Sequence, residues 1–360
     1  MKRIYNFGAG PATLPVEVLE EAANEMIDYR NTGMSVMEIS HRSSVYEEIQ
    51  DETKKTLKEL MKLEDDREIL FIQGGATLQF SMVPLNLLMP EDTATFLNTG
   101  SWTKKAYSEA KKFAKVEYLD SSEEANFTYV PKIDESKISP DSKYLHLCTN
   151  NTIYGTRIKP ENLIGITTPL VADMSSNFMS EVYDFNQFDL IFAGAQKNLG
   201  PAGVTIVIMK KDLIQETREM PIYLDYKTHL DSDSLYNTPP VYSIYICGKV
   251  AKWLKAQGGI EAIEVVNKEK AKILYDFIDN SKIFKNPIVP EDRSIMNAVF
   301  VTGDENLDAE FVKGAKAKGL EGLKGHRSVG GMRASIYNAM PIEGVKALVE
   351  YMKEFESQRA

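Results

Sequence analysis

Two rhythms of apolar residues run along the chain. Side chains three and four apart predict amphipathic helices over residues 16–31, 45–62, 78–88 and 103–113. Short unbroken apolar runs over 68–72, 93–97, 116–119, 144–148, 170–174, 190–193 and 204–209 predict buried strands between and after them. The first run ends in Gln73-Gly74-Gly75-Ala76-Thr77 and is followed directly by a new helical pattern, the strand, glycine turn and helix succession of α/β proteins. Strands separated by helical crossovers predict a mainly parallel sheet covered on both faces, which explains why they are apolar throughout rather than alternating. After Pro239-Pro240 the pattern changes to long helices over 241–257 and 260–281, strand-like 297–302 and 333–336, and a closing helix over 342–355. The expectation is an α/β chain with a large domain over 1–255, whose N-terminal segment can pack on the small domain, and a smaller C-terminal α+β domain over 256–360.

Charge narrows the function. Among 360 residues, 42 Lys and Arg face 52 Asp and Glu, a formal charge of −10 that argues against general binding to nucleic acid or anionic membrane. Any cationic site must therefore be local. Cys148 and Cys247 lie far apart without a CxxC or a histidine cluster, so neither a disulfide framework nor a metal site is expected. The N-terminus reaches Gly8 and Pro11 before any signal-like apolar core, and no stretch is long enough to span a membrane. Together these suggest a cytoplasmic protein. No repeat or low-complexity segment is evident.

Candidate chemistry collects where predicted strands end. Lys197 stands in Ala193-Gly194-Ala195-Gln196-Lys197-Asn198-Leu199-Gly200, just after a buried strand. A lysine there loses solvation for its ammonium, which frees the neutral amine for Schiff-base chemistry. Taken alone, it reads equally well as a solvated lysine in a glycine turn. Asp173 closes another apolar run, where a carboxylate can pair with a protonated pyridine nitrogen or simply cap a turn. Gly74-Gly75-Ala76-Thr77 offers backbone N–H groups at a helix start, suited to a phosphate, yet it is neither GxGxxG nor a P-loop. Trp102, in Asn98-Thr99-Gly100-Ser101-Trp102, can stack on a planar ring or serve as core. In an open parallel sheet such strand ends converge on one edge. The cationic residues gather in His41-Arg42 and in Gly325-His326-Arg327-Ser328-Val329-Gly330-Gly331-Met332-Arg333, a pattern suited to an anion carrying more than one carboxylate.

The ordered set NFGAGPATLP, SHRS, QGGATLQF, TGSW, NNTIYGT, ADMSSNF, AGAQKNLGPAG, YNTPP and GHRSVGGMRASIYNAMP spans nearly the whole chain. In it the sequence resembles the phosphoserine aminotransferases, class V aminotransferases of the fold-type I, aspartate-aminotransferase-like group that use pyridoxal 5'-phosphate. The resemblance implies Lys197 as the lysine bonded to the cofactor, Asp173 at the pyridine nitrogen, Trp102 stacked on the ring and Thr152 near its phenolic oxygen. It places Ala76, Thr77 and Gln196 around the phosphate, completed by Asn237 and Thr238 from the other subunit of a homodimer. Arg333 is implied for the substrate α-carboxylate, and His41, Arg42, His326 and Arg327 for its phosphate or distal carboxylate. Some members carry arginine where Thr77 stands, so no extra charge is available there.

The implied reaction is ping-pong transamination between L-glutamate and 3-phosphohydroxypyruvate, giving 2-oxoglutarate and O-phospho-L-serine, with Lys197 as general base and acid. Some members of the family also act on the phosphorylated hydroxythreonine ketone of vitamin B6 synthesis. The rival readings are a serine–pyruvate type transaminase, a cysteine desulfurase, for which neither cysteine has a fitting context, and a binding protein with an inactive pocket.

Overall fold

The computed structural model describes residues 3–214 and 218–359. Its main sheet is built from β2 (Arg67–Ile72), β3 (Thr93–Asn98), β4 (Lys115–Ser121), β5 (Ser142–Cys148), β6 (Leu170–Asp173), β7 (Leu190–Gly194) and β8 (Thr205–Lys210), in the spatial order β2-β8-β7-β6-β5-β3-β4. Neighbours from β7 through β4 pair in parallel, and β8 alone runs against both of its partners. Successive side chains on a strand face opposite sides of the sheet. Thus Ile69 and Phe71 enter one hydrophobic cluster while Leu70 and Ile72 enter another. Both faces are buried, and this is why the strands read as continuous apolar runs.

Helices α1 (Val16–Asn24), α2 (Ser44–Met61) and α6 (Val241–Ala256) contribute to the first face, and α3 (Gly75–Leu87) and α4 (Ser101–Ala110) to the second. A third cluster gathers residues from Ala271 to Phe355 together with Phe7. It lies among α7 (Gly259–Asn280), β9 (Asn297–Phe300), α8 (Glu305–Ala317), β11 (Met332–Ser335) and α9 (Ile342–Ser357). The N-terminal strand β1 (Tyr5–Asn6) pairs in parallel with β10 (Leu320–Glu321), so the first residues of the chain join this late-sequence unit. α7 bridges the two regions: Ile260 and Ile263 pack in the first cluster, and Ala271, Leu274 and Ile278 in the third. A short α5 (Tyr226–Asp231) precedes the Pro239-Pro240 step.

Several boundaries differ from expectation. The first helix ends at Asn24 instead of continuing to residue 31: Glu25 leaves helical geometry (φ −89°, ψ 1°), and farther on Arg30, Asn31 and Gly33 take left-handed backbone angles (φ 48°, 62° and 75°) in a turn closed by Gly33 N–H donating to Asp28 Oδ1 at 2.8 Å. α3 begins at Gly75, three residues earlier than its apolar pattern indicates, since Gly74 (φ 97°) supplies the left-handed cap. α8 was not expected at all. Its fully buried stripe is thin, mainly Phe311 and Ala315, and it starts on the Asp304 side chain, which accepts from Asn306 and Leu307.

The third cluster carries a buried charge. Lys270 is fully buried on α7, and burial pushes its pKa down to about 7. Its Nζ donates to the carbonyls of Ile336 (3.0 Å), Tyr337 (2.7 Å) and Met340 (3.1 Å), fixing the turn between β11 and α9. Replacing it by methionine keeps the volume but strands three carbonyls in the interior. Lys270→Met is expected to destabilise the protein by about 2 kcal/mol, read from the midpoint of denaturant unfolding. An unchanged midpoint would show that the carbonyls find other donors.

Candidate functional site

Because β2, β3, β5, β6 and β7 run in one direction, their C-terminal ends lie on one edge of the sheet. Cys148 and Asp173 are register partners, as are Asp173 and Phe192, so the Asp173 carboxylate starts from the middle of that edge. Lys197 lies in the loop that joins β7 to antiparallel β8, a hairpin connection rather than a helical crossover. Ala195 sets the loop: its N–H donates to the Val204 carbonyl at 3.1 Å and its carbonyl accepts from Leu199 and Gly200.

Lys197 Nζ donates to Thr152 Oγ1 at 2.7 Å and sits 5.5 Å from the centroid of the Trp102 ring. Desolvation is the largest influence on its amine and lowers the pKa; Asp173 and then Cys148 oppose the shift, and Arg333 adds to it. Asp173 is buried and accepts one bond, from Ser175 N–H to Oδ1 at 2.9 Å; its other oxygen has no hydrogen bond among the described residues. Arg333 Nη1 donates to the Thr152 carbonyl at 2.9 Å, whereas its buried Nε has no partner among the described residues. Burial lowers its pKa as well. The Trp102 indole N–H is also buried without a partner among the described residues. Lys197, Thr152, Trp102, Asp173 and Arg333, scattered over most of the sequence, thus form one constellation.

The remaining expected residues are distributed around it. Gln196 adjoins Lys197, and its carbonyl accepts from Ala12 N–H at 2.9 Å. Ala76 and Thr77 occupy the first turn of α3, whose cap provides no side-chain hydrogen bond, leaving N–H groups at the positive end of the helix for an outside acceptor. His326 bonds to Ser328 Oγ through Nδ1 at 2.7 Å, and its pKa is lowered first by burial and then by the charges of Arg333, Arg327 and Lys105. Arg327 is exposed beside it. His41 and Arg42 lie on the loop before α2, and no hydrogen bond links their side chains to Lys197 or Arg333 in the single chain. No hydrogen bond links Asn237 or Thr238 to that constellation among the described residues; the Thr238 carbonyl accepts from Gln73 Nε2 at 3.1 Å.

Two neighbours were not read from the sequence. A Cβ on Gly10 would lie 3.3 Å from Lys197 Cγ and 3.4 Å from the Gln196 carbonyl, so only glycine lets the N-terminal segment lie close over the lysine stem. Gly8 and Gly10 within NFGAGPATLP were the available signal. Cys148, whose pKa is raised by burial and whose thiol is therefore neutral, ends the strand beside Asp173. Among the described residues, no three His, Cys, Asp or Glu side chains are placed to hold a metal ion, and no helix is long and apolar enough to cross a membrane.

Residues 4–348 match the family model described as aminotransferase class-V. The chain belongs to the class-V aminotransferases. It is 54% identical over 357 residues to a phosphoserine aminotransferase of Bacillus cereus, covering 99% of both chains. A solved phosphoserine aminotransferase from Bacillus circulans subsp. alkalophilus superposes with a TM-score of 0.96 at 45% identity, covering 100% of each chain. A phosphoserine aminotransferase of Trichomonas vaginalis with bound PLP matches with a TM-score of 0.92 at 41% identity, covering 98% of this chain and 100% of that one. The fold-type I architecture inferred from the sequence is therefore the architecture of the chain.

The electrostatics of this aminotransferase give two shifts of opposite sign. Removing the Asp173 charge by Asp173→Asn takes away the influence that raises the Lys197 pKa, and Arg333→Gln takes away one that lowers it. In cofactor-free protein, the pH midpoint for acylation of Lys197, followed by peptide mass spectrometry, is expected to fall in the first variant and rise in the second. Equal midpoints in all three proteins would show that neither charge acts on the amine.

Proposed function

We propose that the chain transfers the amino group of L-glutamate to 3-phosphohydroxypyruvate, forming O-phospho-L-serine and 2-oxoglutarate in serine biosynthesis, with pyridoxal 5'-phosphate as cofactor. The observation that carries this reading is the Lys197 amine, desolvated and placed against Thr152, Trp102, Asp173 and Arg333 in a chain of this family. The donors fit the cofactor: an aromatic face at Trp102, a carboxylate oxygen free at Asp173, and unpaired N–H groups in the first turn of α3. When bound, pyridoxal phosphate supplies an electrophilic carbonyl carbon and an electron-withdrawing ring.

The protein's part follows from its geometry. The neutral Lys197 Nζ would hold the cofactor and would serve as the base for the proton at the substrate Cα; Thr152 Oγ1 at 2.7 Å helps hold the amine in place. Asp173 would hold a proton on the cofactor's ring nitrogen, and Trp102 would cover the ring. Ala76, Thr77 and Gln196 bind the phosphate from one chain. Arg333, with its unpaired Nε, orients the α-carboxylate. His326 and Arg327, with His41 and Arg42, recognise the distal anion, which concentrates positive charge in a chain of net charge −10.

The reading includes a homodimer in which Asn237 and Thr238 complete the partner's phosphate site. It treats 1–255 and 256–360 as large and small domains, supported by the separate clusters on either side of α7. It also places the protein in the cytoplasm, consistent with two free, buried cysteines.

Visible absorbance of the cofactor-loaded protein, titrated separately with O-phosphoserine, glutamate and serine, tests the substrate assignment. The expected outcome is a spectral change with the first two and none with serine; indifference to O-phosphoserine would refute it. Lys197→Ala is expected to lower turnover by about a thousandfold or more. Mixing Lys197→Ala chains with Asn237→Ala chains after dissociation should restore roughly a quarter of the sites, because each mixed dimer regains one intact site. No recovery would place Asn237 in the same site as the Lys197 of its own chain.

A further inference from the structure

Three asparagines from distant parts of the chain converge behind the Lys197 pocket. Asn198, directly after Lys197, donates from Nδ2 to the Phe178 carbonyl at 2.6 Å; Asn338 donates to the Met179 carbonyl at 3.0 Å, and Asn267 to the Ser180 carbonyl at 2.9 Å. Three consecutive carbonyls of the loop that follows Asp173 are therefore each held by an amide from a different segment. The asparagines are also joined to one another. Asn198 Oδ1 accepts from Asn338 N–H at 2.9 Å, and Asn338 Oδ1 accepts from Asn267 Nδ2 at 2.8 Å. All three are buried, with 8%, 6% and 0% exposure for Asn198, Asn338 and Asn267, so no competing water shell substitutes freely for these bonds. Met179, in the middle of the held loop, has a left-handed backbone (φ 54°) that a non-glycine residue rarely adopts without outside support.

The network links the three segments on which the proposed reaction depends. One carries Lys197, one follows Asp173, and one continues from Arg333 on β11 to Asn338. We infer that Asn198 is a positioning residue for Lys197, registering the amine against the Asp173 loop and, through Asn338, against the strand that carries Arg333. Asn267 anchors the far end of the chain of amides on α7. This rests on the assignment of Lys197 as the reacting amine. Its physical content is geometric: losing one amide releases a carbonyl and an N–H at the base of the lysine loop, and a displacement of about 1 Å at a reacting group costs on the order of a hundredfold in rate.

A double-mutant cycle on the holoenzyme tests it, using Asn198→Ala, Asn267→Ala and the pair, with kcat and KM for the glutamate half-reaction and the thermal midpoint measured for each. The acylation midpoint of Lys197 is measured in the cofactor-free forms. Asn198→Ala is expected to lower kcat about 10- to 100-fold, to leave KM within about twofold, and to shift the acylation midpoint. Asn267→Ala, which touches neither Lys197 nor Asp173, should lower kcat several-fold, and the pair should lose less than the product of the single losses. A fall in thermal stability with kcat and the acylation midpoint unchanged, or losses that simply multiply, would overturn the inference. Should Asn198→Ala fail to fold, Asn338→Ala, which cuts the bonds to Met179 and Asn267, takes its place in the cycle. Lys197→Ala run alongside separates the two ideas, since its retention of turnover would defeat the assignment of the lysine whatever the asparagine variants do.

Discussion

The common direction of the sheet strands organises this molecule. A parallel pair cannot be joined by a tight turn, so each connection must travel away and return, and each strand delivers its C-terminal residue to the same edge. Cys148, Asp173 and Gly194 end adjacent strands there, while Ile72 and Asn98 end two others. The apolar strands are buried on both faces by helices, which leaves this edge as the place where polar side chains can gather without disturbing a core. Only β8 departs from the direction, and its reversal makes the Lys197 segment a hairpin loop returning over the edge.

Electrostatics then sets the lysine's reactivity. Enclosure disfavours its ammonium, the Arg333 charge acts in the same direction, and the Asp173 carboxylate opposes both. The opposing influences come from distant segments that pack against different hydrophobic clusters. Asp173 belongs to the sheet edge and Arg333 to β11, beside the separate late-sequence cluster. Reactivity of the amine therefore depends on how the two hydrophobic units are docked, and the seam between them is densely bonded. Asn150 donates to Asn297 Oδ1 at 2.8 Å, and Asn338 donates to the Met179 carbonyl at 3.0 Å. Buried polar groups of this kind are costly unless every partner is in place, so they favour one mutual arrangement of the units over others.

Much of the scaffold was legible from local pattern because the dominant energy is hydrophobic burial, and burial leaves a period in the sequence. The strands 68–72, 93–97, 144–148, 170–174, 190–193 and 204–209 fall within a few residues of their observed bounds. What pattern missed had weak apolar signals or depended on backbone geometry. α8 buries a narrow stripe, the predicted span of the first helix runs into a left-handed turn at residues 30–33, and α3 gains its first turn from Gly74. That extra turn matters, since it brings Ala76 and Thr77 onto the helix start. Gly10 gave only the cue of a glycine-rich segment, because its partner Lys197 is remote in sequence and the constraint is a steric distance.

The sequence by itself determined the element types, the α/β class, the strand-end position of Lys197, Asp173 and Trp102, and, through its ordered motifs, the family. These are properties of neighbouring residues: period, glycine placement and side-chain chemistry. Tertiary structure alone decided that β8 runs backwards, that β1 pairs with β10 across the whole chain, and that Arg333 reaches the Thr152 carbonyl beside Lys197. It also decided that three asparagines would share one loop. Such contacts are set by how buried faces and unpaired backbone groups find partners in three dimensions, and no local window of sequence contains both partners.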